Sequence, residues 1–233
     1  MDTPTDDLKD RLLDAALPHV PFDGWSEATF RAAVAESGID MAMARTACPR
    51  GAVDLALTYH RRGDEEMRRR IRAANLLDLR FRDRVATAVR FRIEAIPDKE
   101  AVRRGTALLS LPQYAADGAR AVWGTADAIW DALGDRSDDY NWYTKRATLS
   151  GVYAATVLYW LGDDSPECRD TWSFLDRRIE DVMRIEKVKA QVRENPLLSR
   201  LAGGPDWVLS RIKPPSQMPR VDLPGFRTRR TGR

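Results

Sequence analysis

The sequence predicts an all-α protein in which a unit of three short N-terminal helices precedes a larger helical body. Nearly every segment of the 233-residue chain has apolar residues at intervals of three and four, interrupted by Pro, Gly or Asp, and no segment alternates convincingly as a strand does. The charge-free run 148–161 predicts a central helix that is buried on all sides. The length suits one large domain or two small ones with a substantial core.

The N-terminal unit is predicted from its helix boundaries. A first helix covers about residues 6–20. Ser26 is the expected N-cap of a second helix that stops at Gly38, and Asp40 can cap a short third helix over residues 41–46. Two short helices separated by a glycine-containing turn have the spacing of a helix-turn-helix.

The body is predicted as a series of longer helices. The last of them opens with Ser165 as N-cap and Pro166 in the first turn, and its apolar seam could pack internally or against a second copy of the chain. The others are expected from residues 49–51, in an arginine-rich region over 65–95, over 99–111, from 112 to about 133, and from the aromatic stretch at 140–143 to Gly162.

Four segments are predicted along the chain. They are a helix-turn-helix-like unit (1–50), a helical body (51–194), an amphipathic C-terminal helix (195–212) and a basic, Pro- and Arg-rich disordered tail (213–233). The net charge is +3, of which the tail carries +5, so the other residues sum to −2 (+3 minus +5). A nearly neutral body argues against a strongly basic nucleic-acid-binding domain.

Cysteine and histidine are too few and too scattered for a disulfide framework or a zinc site. The chain has Cys48, Cys168, His19 and His60, which fits a reducing compartment. The acidic, polar first ten residues predict no signal peptide, and the charge-free run is shorter than the roughly 18 residues of a membrane-spanning helix. Because no phosphate loop or nucleophile elbow is found, we expect no catalytic residue, no metal and no enzymatic activity.

A candidate binding surface lies at the start of the central helix. Residues 138–146, DDYNWYTKR, place aromatic side chains at a polar helix entrance. Trp and Tyr are enriched at binding hot spots because they bury a large apolar area and keep one polar atom. The alternative, that Trp142 and Tyr143 only pack the helix start, is equally compatible with their spacing.

The chain resembles two families. The N-terminal plan is that of TetR regulators, on SGID (37–40) at the turn and PRGAVDL (49–55) at the fourth helix. A closer resemblance, to the ubiquinone-biosynthesis accessory protein family, rests on AALPHVPFDGW (15–25), GDRSDDYNWYTKR (134–146) and DSPECRDTWSFL (164–175). It extends over about residues 12–182 and is weak beyond Asn195.

The second resemblance implies a lipid-binding partner of the demethoxyubiquinone hydroxylase. Members of that family form TetR-like homodimers, hold an isoprenoid quinone or phospholipid in an apolar pocket, and present the precursor to the hydroxylase, which performs the chemistry. The body 51–194 would then serve lipid binding and dimerisation. No cofactor besides the bound lipid and no nucleic-acid partner is implied, and the expected location is cytoplasmic, at the periphery of the inner membrane.

Three groups of residues are candidates for the roles that such a protein needs. The hydroxylase-contacting group is Asp127, Ile129, Trp130, Asp139, Trp142 and Tyr143, with Ile129 where relatives can carry Met. The lipid-binding group is Leu108, Leu109, Val122, Val152, Tyr153, Val157, Leu158 and Trp160, for each of which plain core packing is the alternative. The membrane-contacting group is Leu197, Leu198, Leu201, Trp207 and Val208, in a helix that could instead clip onto the body.

Two other functions compete with this one. A TetR-type DNA-binding repressor with a hydrophobic ligand would need basic or amide side chains on its recognition helix. Residues 40–48 offer one arginine, one threonine and an acid. An enzyme would need a metal or an activated base, and the sequence supplies neither.

Overall fold

The computed structural model describes the backbone of residues 4–96, 98–136 and 140–194, and the side chains of 5–96, 98–136 and 141–184. These residues contain ten α-helices and no strand, which confirms the all-α prediction. The helices are α1 (Pro4–Ala16), α2 (Val20–Asp23), α3 (Glu27–Ser37), α4 (Met41–Ala47), α5 (Ala52–Ala73), α6 (Phe81–Glu94), α7 (Lys99–Leu109), α8 (Ala115–Ala132), α9 (Tyr140–Leu161) and α10 (Arg169–Glu194).

The N-terminal helices end where the sequence predicted caps. The hydroxyl of Ser26 accepts a hydrogen bond from the Thr29 amide (3.2 Å), and the Asp40 carboxylate accepts one from the Ala42 amide (2.8 Å). Gly38 follows α3 in the left-handed region, at φ +65°, which glycine adopts without steric cost. Helix α1 packs against α3, α4 and α5, and its Leu12 is fully buried between them.

The first helix is shorter than predicted. It ends at Ala16 rather than near residue 20, and the four-residue α2 follows it. Pro18 explains the difference, because a proline lacks an amide hydrogen and disfavours helical conformation in the residue before it.

The arginine-rich region is not one helix. Helix α5 continues through Ala73, a loop covers residues 74–80, and α6 starts at Phe81. In the loop, the Asn75 amide donates to the Asp78 carboxylate over 3.0 Å, a local side-chain bond typical of turns. Leu76 is buried and fixes the loop to the body.

The central helix α9 is buried on one side only, so the prediction of an all-round buried helix is wrong for the single chain. Its inner face holds Val152, Tyr153 and Trp160 in the core of the body. Gly151 and Leu158 on the opposite face are exposed, although neither that face nor the rest of residues 148–161 carries a charge.

Helix α10 begins differently from the prediction. A 3₁₀ turn (Pro166–Cys168) precedes it, and Asp163 caps the helix by accepting the Thr171 amide hydrogen over 2.9 Å. Ser165 accepts from the Asp170 amide over 3.0 Å, so it assists rather than caps alone. The predicted seam packs internally, with Leu175 and Ile179 buried and Trp172 and Val182 against the same cluster.

Several predictions lie outside the described residues. These are the helix 195–212, the tail 213–233, all five membrane-contacting residues and Asp139. In the part of the chain that is described, no helix combines the length and apolar character needed to cross a bilayer.

Candidate functional site

A cavity of about 310 Å³ opens between α5, α7, α8 and α9. That volume is at the lower end of the roughly 300–1,000 Å³ of small-molecule sites. Its walls are mainly apolar. Five residues of the predicted lipid-binding group line it: Leu109, Val122, Tyr153, Val157 and Leu158.

The other three members of that group lie elsewhere. Leu108 packs against the N-terminal core, one helical position away from the cavity wall. Val152 faces an apolar groove beside α10, because consecutive helical residues point in directions about 100° apart. Trp160 is buried next to Lys99, whose ammonium lies 5.3 Å from the indole centre. The lipid-lining prediction is corrected at these three positions.

The sequence interpretation missed the polar end of the cavity. Trp25, Tyr59 and His60 line it, and the first of these comes from the N-terminal unit. Trp25 donates its indole hydrogen to the Ala101 carbonyl over 3.1 Å, and its ring lies 5.6 Å from that of Tyr59. Aromatic and histidine side chains on one helical face were indistinguishable from core residues until the helices were packed.

A buried hydrogen-bond network holds the floor of the cavity. His60 Nε2 lies 2.8 Å from the Thr125 hydroxyl and 3.1 Å from the Ala121 carbonyl. Because a carbonyl only accepts, Nε2 must carry the proton, and Nδ1 is then an acceptor. Thr125 in turn donates to Asp64 over 2.7 Å, and Arg92 donates to the same carboxylate oxygen over 2.5 Å.

The floor is electrically neutral despite its ionisable groups. Burial, with a smaller effect of the Arg92 charge, lowers the pKa of His60 to about 4. Burial likewise raises the pKa of Tyr59 to about 12 and raises that of Tyr153. The single charge on Arg92 is balanced by Asp64, so the cavity presents uncharged hydrogen-bonding groups to a ligand.

The opposite end of the cavity is open to solvent. Ser110, Ala115, Ala119 and Leu158, which all line it, are exposed. The cavity therefore extends from a solvent-exposed opening on the α8–α9 side, lined partly by small residues, to a buried polar floor. Gly118 allows the close approach of α7 to α8 beside it, since a Cβ there would lie 3.0 Å from the Leu109 carbonyl oxygen.

A second candidate site is the aromatic cluster at the start of α9. The ring of Trp142 lies 4.8 Å from that of Tyr143 and 6.1 Å from that of Trp123, and all three side chains are half-buried. The structure thus brings Trp142 and Tyr143 together. It also adds Trp123 of α8 to the cluster, a contact that the sequence did not predict.

Arg146 contacts this cluster from the buried side. Its fully buried guanidinium donates to Asp127, Asp131 and Asp135, over 2.5 to 3.2 Å. Asp127, predicted to contact a partner, is therefore engaged within the chain while remaining partly accessible.

Two predicted contact residues are not on the surface. Ile129 is 0% exposed and Trp130 is 7% exposed, because the α8 face that carries them packs into the body core. The predicted contact surface is corrected accordingly, and its accessible members among the described residues are Asp127, Trp142 and Tyr143.

Helix α4, which occupies the position of a recognition helix, presents few side chains that could bind DNA. Met41 and Met43 are its exposed large apolar side chains. Arg45 pairs with Glu27 and stacks 4.4 Å above the Phe30 ring. Arg50 is held between two carboxylates, at 2.8 and 2.9 Å.

Comparisons with known proteins agree with the sequence resemblances. Residues 115–186 match the COQ9 family model. The mitochondrial ubiquinone biosynthesis protein COQ9 of Rattus norvegicus is 32% identical over 197 residues, covering 80% of this chain and 62% of that protein. The Homo sapiens protein is 30% identical, covering 80% and 61%. The chain thus spans about three fifths of the length of these curated relatives.

The fold is also similar to that of a TetR transcriptional regulator from Nitrosomonas europaea. The TM-score is 0.62 at 19% sequence identity, over 75% of this chain and 97% of the regulator. At that identity the similarity concerns the fold alone, and the predicted TetR-like architecture is confirmed.

Proposed function

We propose that this chain, which is similar to the COQ9 proteins of ubiquinone biosynthesis, binds an isoprenoid quinone precursor and presents it to the demethoxyubiquinone hydroxylase. The hydroxylase supplies the chemistry, and this chain supplies binding and delivery. The observation that carries the proposal is the cavity, whose walls are apolar and whose polar floor carries no net charge.

The ligand lies with its ring at the floor and its tail toward the mouth. A quinone or phenol ring offers carbonyl or hydroxyl groups, which match the neutral His60 and the phenols of Tyr59 and Tyr153. About 310 Å³ accommodates a ring and the first part of a tail, so a long isoprenoid chain continues out past Leu158.

A phospholipid fits the same floor less well. Its phosphate is charged, and burying a charge is costly unless an opposite charge is available to pair with it. The guanidinium at the floor, that of Arg92, is already paired with Asp64. An isoprenoid with a neutral head is therefore the preferred ligand.

Association with a second copy of the chain, with the hydroxylase and with a membrane surface belongs to the same proposal. The charge-free outer face of α9, with Gly151, Leu158 and Tyr159, suits a helical dimer contact, because small and apolar side chains allow close packing. Tyr159 stacks on Phe174 at 4.5 Å and joins α10 to that face. The aromatic cluster around Trp142 is the surface offered to the hydroxylase.

A pair of substitutions on one helix tests the use of the cavity. Val122→Trp places an indole in the cavity, whereas Ala116→Trp adds the same indole at an exposed position of α8 that does not line it. Val122→Trp should abolish binding of a short-chain ubiquinone analogue, measured by quenching of tryptophan fluorescence, and Ala116→Trp should bind normally. Equal binding by two folded variants would contradict the proposal.

A further inference from the structure

The loop between α5 and α6, together with Phe81 at the start of α6, exposes an unusual amount of apolar surface. Leu77 is 78% exposed, Phe81 46% and Leu79 39%, all within five positions. Single exposed apolar residues are ordinary, but a contiguous group marks a surface that something covers. None of the predicted binding residues lies in this loop.

Arginines surround the apolar group. Residues 72–84 include Arg72, Arg80, Arg82 and Arg84 against two aspartates, a net charge of +2. Arg72 and Arg80 are exposed and form no ion pair within the described part of the chain.

The remaining charged groups of the loop are already engaged. Arg84 donates to the Leu79 carbonyl over 3.0 Å, and Arg82 lies 3.3 Å from Asp83. Asp78, the acid closest to the apolar tip, accepts a hydrogen bond from Asn75. Because the partners of Asp78 and Arg84 are neutral, those two side chains keep their charges, and the net charge of residues 72–84 stays at +2.

The loop is anchored from within. Leu76 is buried in the body core, and the Phe81 ring stacks on Trp130 at 5.7 Å with the planes 26° apart. The backbone amide of Leu76 also donates to the Ala74 carbonyl over 3.0 Å. The exposed side chains thus project from a supported turn, and their exposure costs no rearrangement of the core.

We propose that the α5–α6 loop is a membrane-contacting element that binds an anionic phospholipid surface. Leu77, Leu79 and Phe81 enter the boundary between headgroups and acyl chains, and Arg72 and Arg80 bind lipid phosphates. This site is separate from the cavity, it uses none of the residues predicted to contact a membrane from the sequence, and it does not depend on the proposed ligand.

Charge favours a lipid surface over a protein partner. Apolar side chains flanked by unpaired arginines match the layered chemistry of an anionic bilayer, with phosphates above hydrocarbon. Phe22 provides the contrast within the same chain. It is 83% exposed, but the arginine close to it, Arg104, is paired with Glu100, whereas Arg72 and Arg80 have no such partner in the described part of the chain.

Position-specific labelling tests the proposal on the full chain. In a Cys168→Ser background, an environment-sensitive dye is attached to Leu77→Cys or, as matched control, to Phe22→Cys; the remaining cysteine, Cys48, is buried. Vesicles of phosphatidylcholine with phosphatidylglycerol should shift the emission of the dye at position 77 to shorter wavelength and leave that at 22 unchanged. Pure phosphatidylcholine should produce a much smaller shift.

Charge removal gives the second measurement. Arg72→Gln and Arg80→Gln should each weaken vesicle binding about fivefold, the value expected for one arginine near an anionic surface. If the protein floats with vesicles while position 77 stays in water, or if it does not float, the proposal is overturned. A dye shift that requires added hydroxylase instead of vesicles would identify the loop as a protein contact and would also overturn it.

Discussion

The guanidinium of Arg146 lies 3.9 Å from the centre of the Trp142 ring. The two residues are one helical turn apart in α9, and the Arg146 side chain is fully buried among three aspartates. Arg146 and Trp142 therefore form one unit. A buried charge network positions the exposed edge of the aromatic cluster.

Replacement of Arg146 tests this unit. Arg146→Met should lower the free energy of unfolding by about 3 kcal/mol, because it removes the buried cation that three carboxylates share and leaves the buried Asp135 paired with Lys145. Urea denaturation measures the change. Asp131→Asn is the control, since its carboxylate is mostly exposed and its loss should cost at most about 1 kcal/mol. Equal effects of the two substitutions would show that the network is not held by Arg146.

The buried histidine predicts a pH dependence of stability. Burial lowers the pKa of His60 from 6.5, the ordinary value for an accessible histidine, to about 4 in the folded chain. Between these two values the unfolded chain binds a proton that the folded chain does not. The contribution of His60 to the free energy of unfolding should therefore be fully present above pH 6.5 and fall by about 3 kcal/mol as the pH drops to 4.

The His60→Gln variant isolates this contribution. Its unfolding free energy, followed from pH 7 to pH 4, should decline less steeply than that of the unsubstituted chain by about 3 kcal/mol. Parallel curves for the two proteins would mean that His60 titrates normally in the folded state.

Two helical glycines should respond to alanine in opposite directions. A Cβ at Gly63 would lie 2.5 Å from Arg92 Nη1 and 2.7 Å from Ile96 Cδ1, whereas one at Gly124 would meet no atom within 4 Å. Alanine is favoured over glycine within a helix by about 1 kcal/mol. Gly124→Ala should therefore raise the thermal midpoint, and Gly63→Ala should lower it because the clash with the fixed Arg92 exceeds that gain.

The accessible and buried members of the predicted contact group should behave differently. Trp142→Ala should weaken hydroxylase binding in a pull-down assay while the protein remains folded, since Trp142 is half-buried at a surface cluster. Ile129→Lys should instead unfold the chain, because it places a charge in the core. Circular dichroism separates the two effects. A folded Ile129→Lys variant that loses binding would restore Ile129 to the contact surface.

Local signals in the sequence were sufficient for most of the fold. Ser26, Gly38 and Asp40 marked helix ends because capping depends on residues within one turn. The break of the arginine-rich region at 74–80 was missed, since helix-favouring arginines flank it on both sides and the Asn75–Asp78 bond that supports the turn is a weak signal.

The cavity was only partly predictable. Leu109, Val122 and Val157 could be chosen as apolar residues on body helices, but the same criterion also selected Trp160, which packs elsewhere. The polar floor is formed by Trp25, Tyr59, His60 and Tyr153, which are far apart in the sequence. They come together only when the N-terminal unit packs on the body. Whether Ile129 is buried likewise depends on the rotation of α8 about its axis. An error of one residue in that rotation turns each side chain by about 100°, which is enough to move it between the core and the surface.

Organic extraction of the purified full chain, followed by mass spectrometry, shows whether the protein binds an isoprenoid lipid. Protein from a ubiquinone-producing host should carry an isoprenoid quinone or its precursor at a stoichiometry approaching one per chain, and the Val122→Trp variant prepared in parallel should carry none. A lipid-free wild-type protein, or equal amounts of lipid on both proteins, would contradict the proposal that the cavity binds an isoprenoid quinone or its precursor.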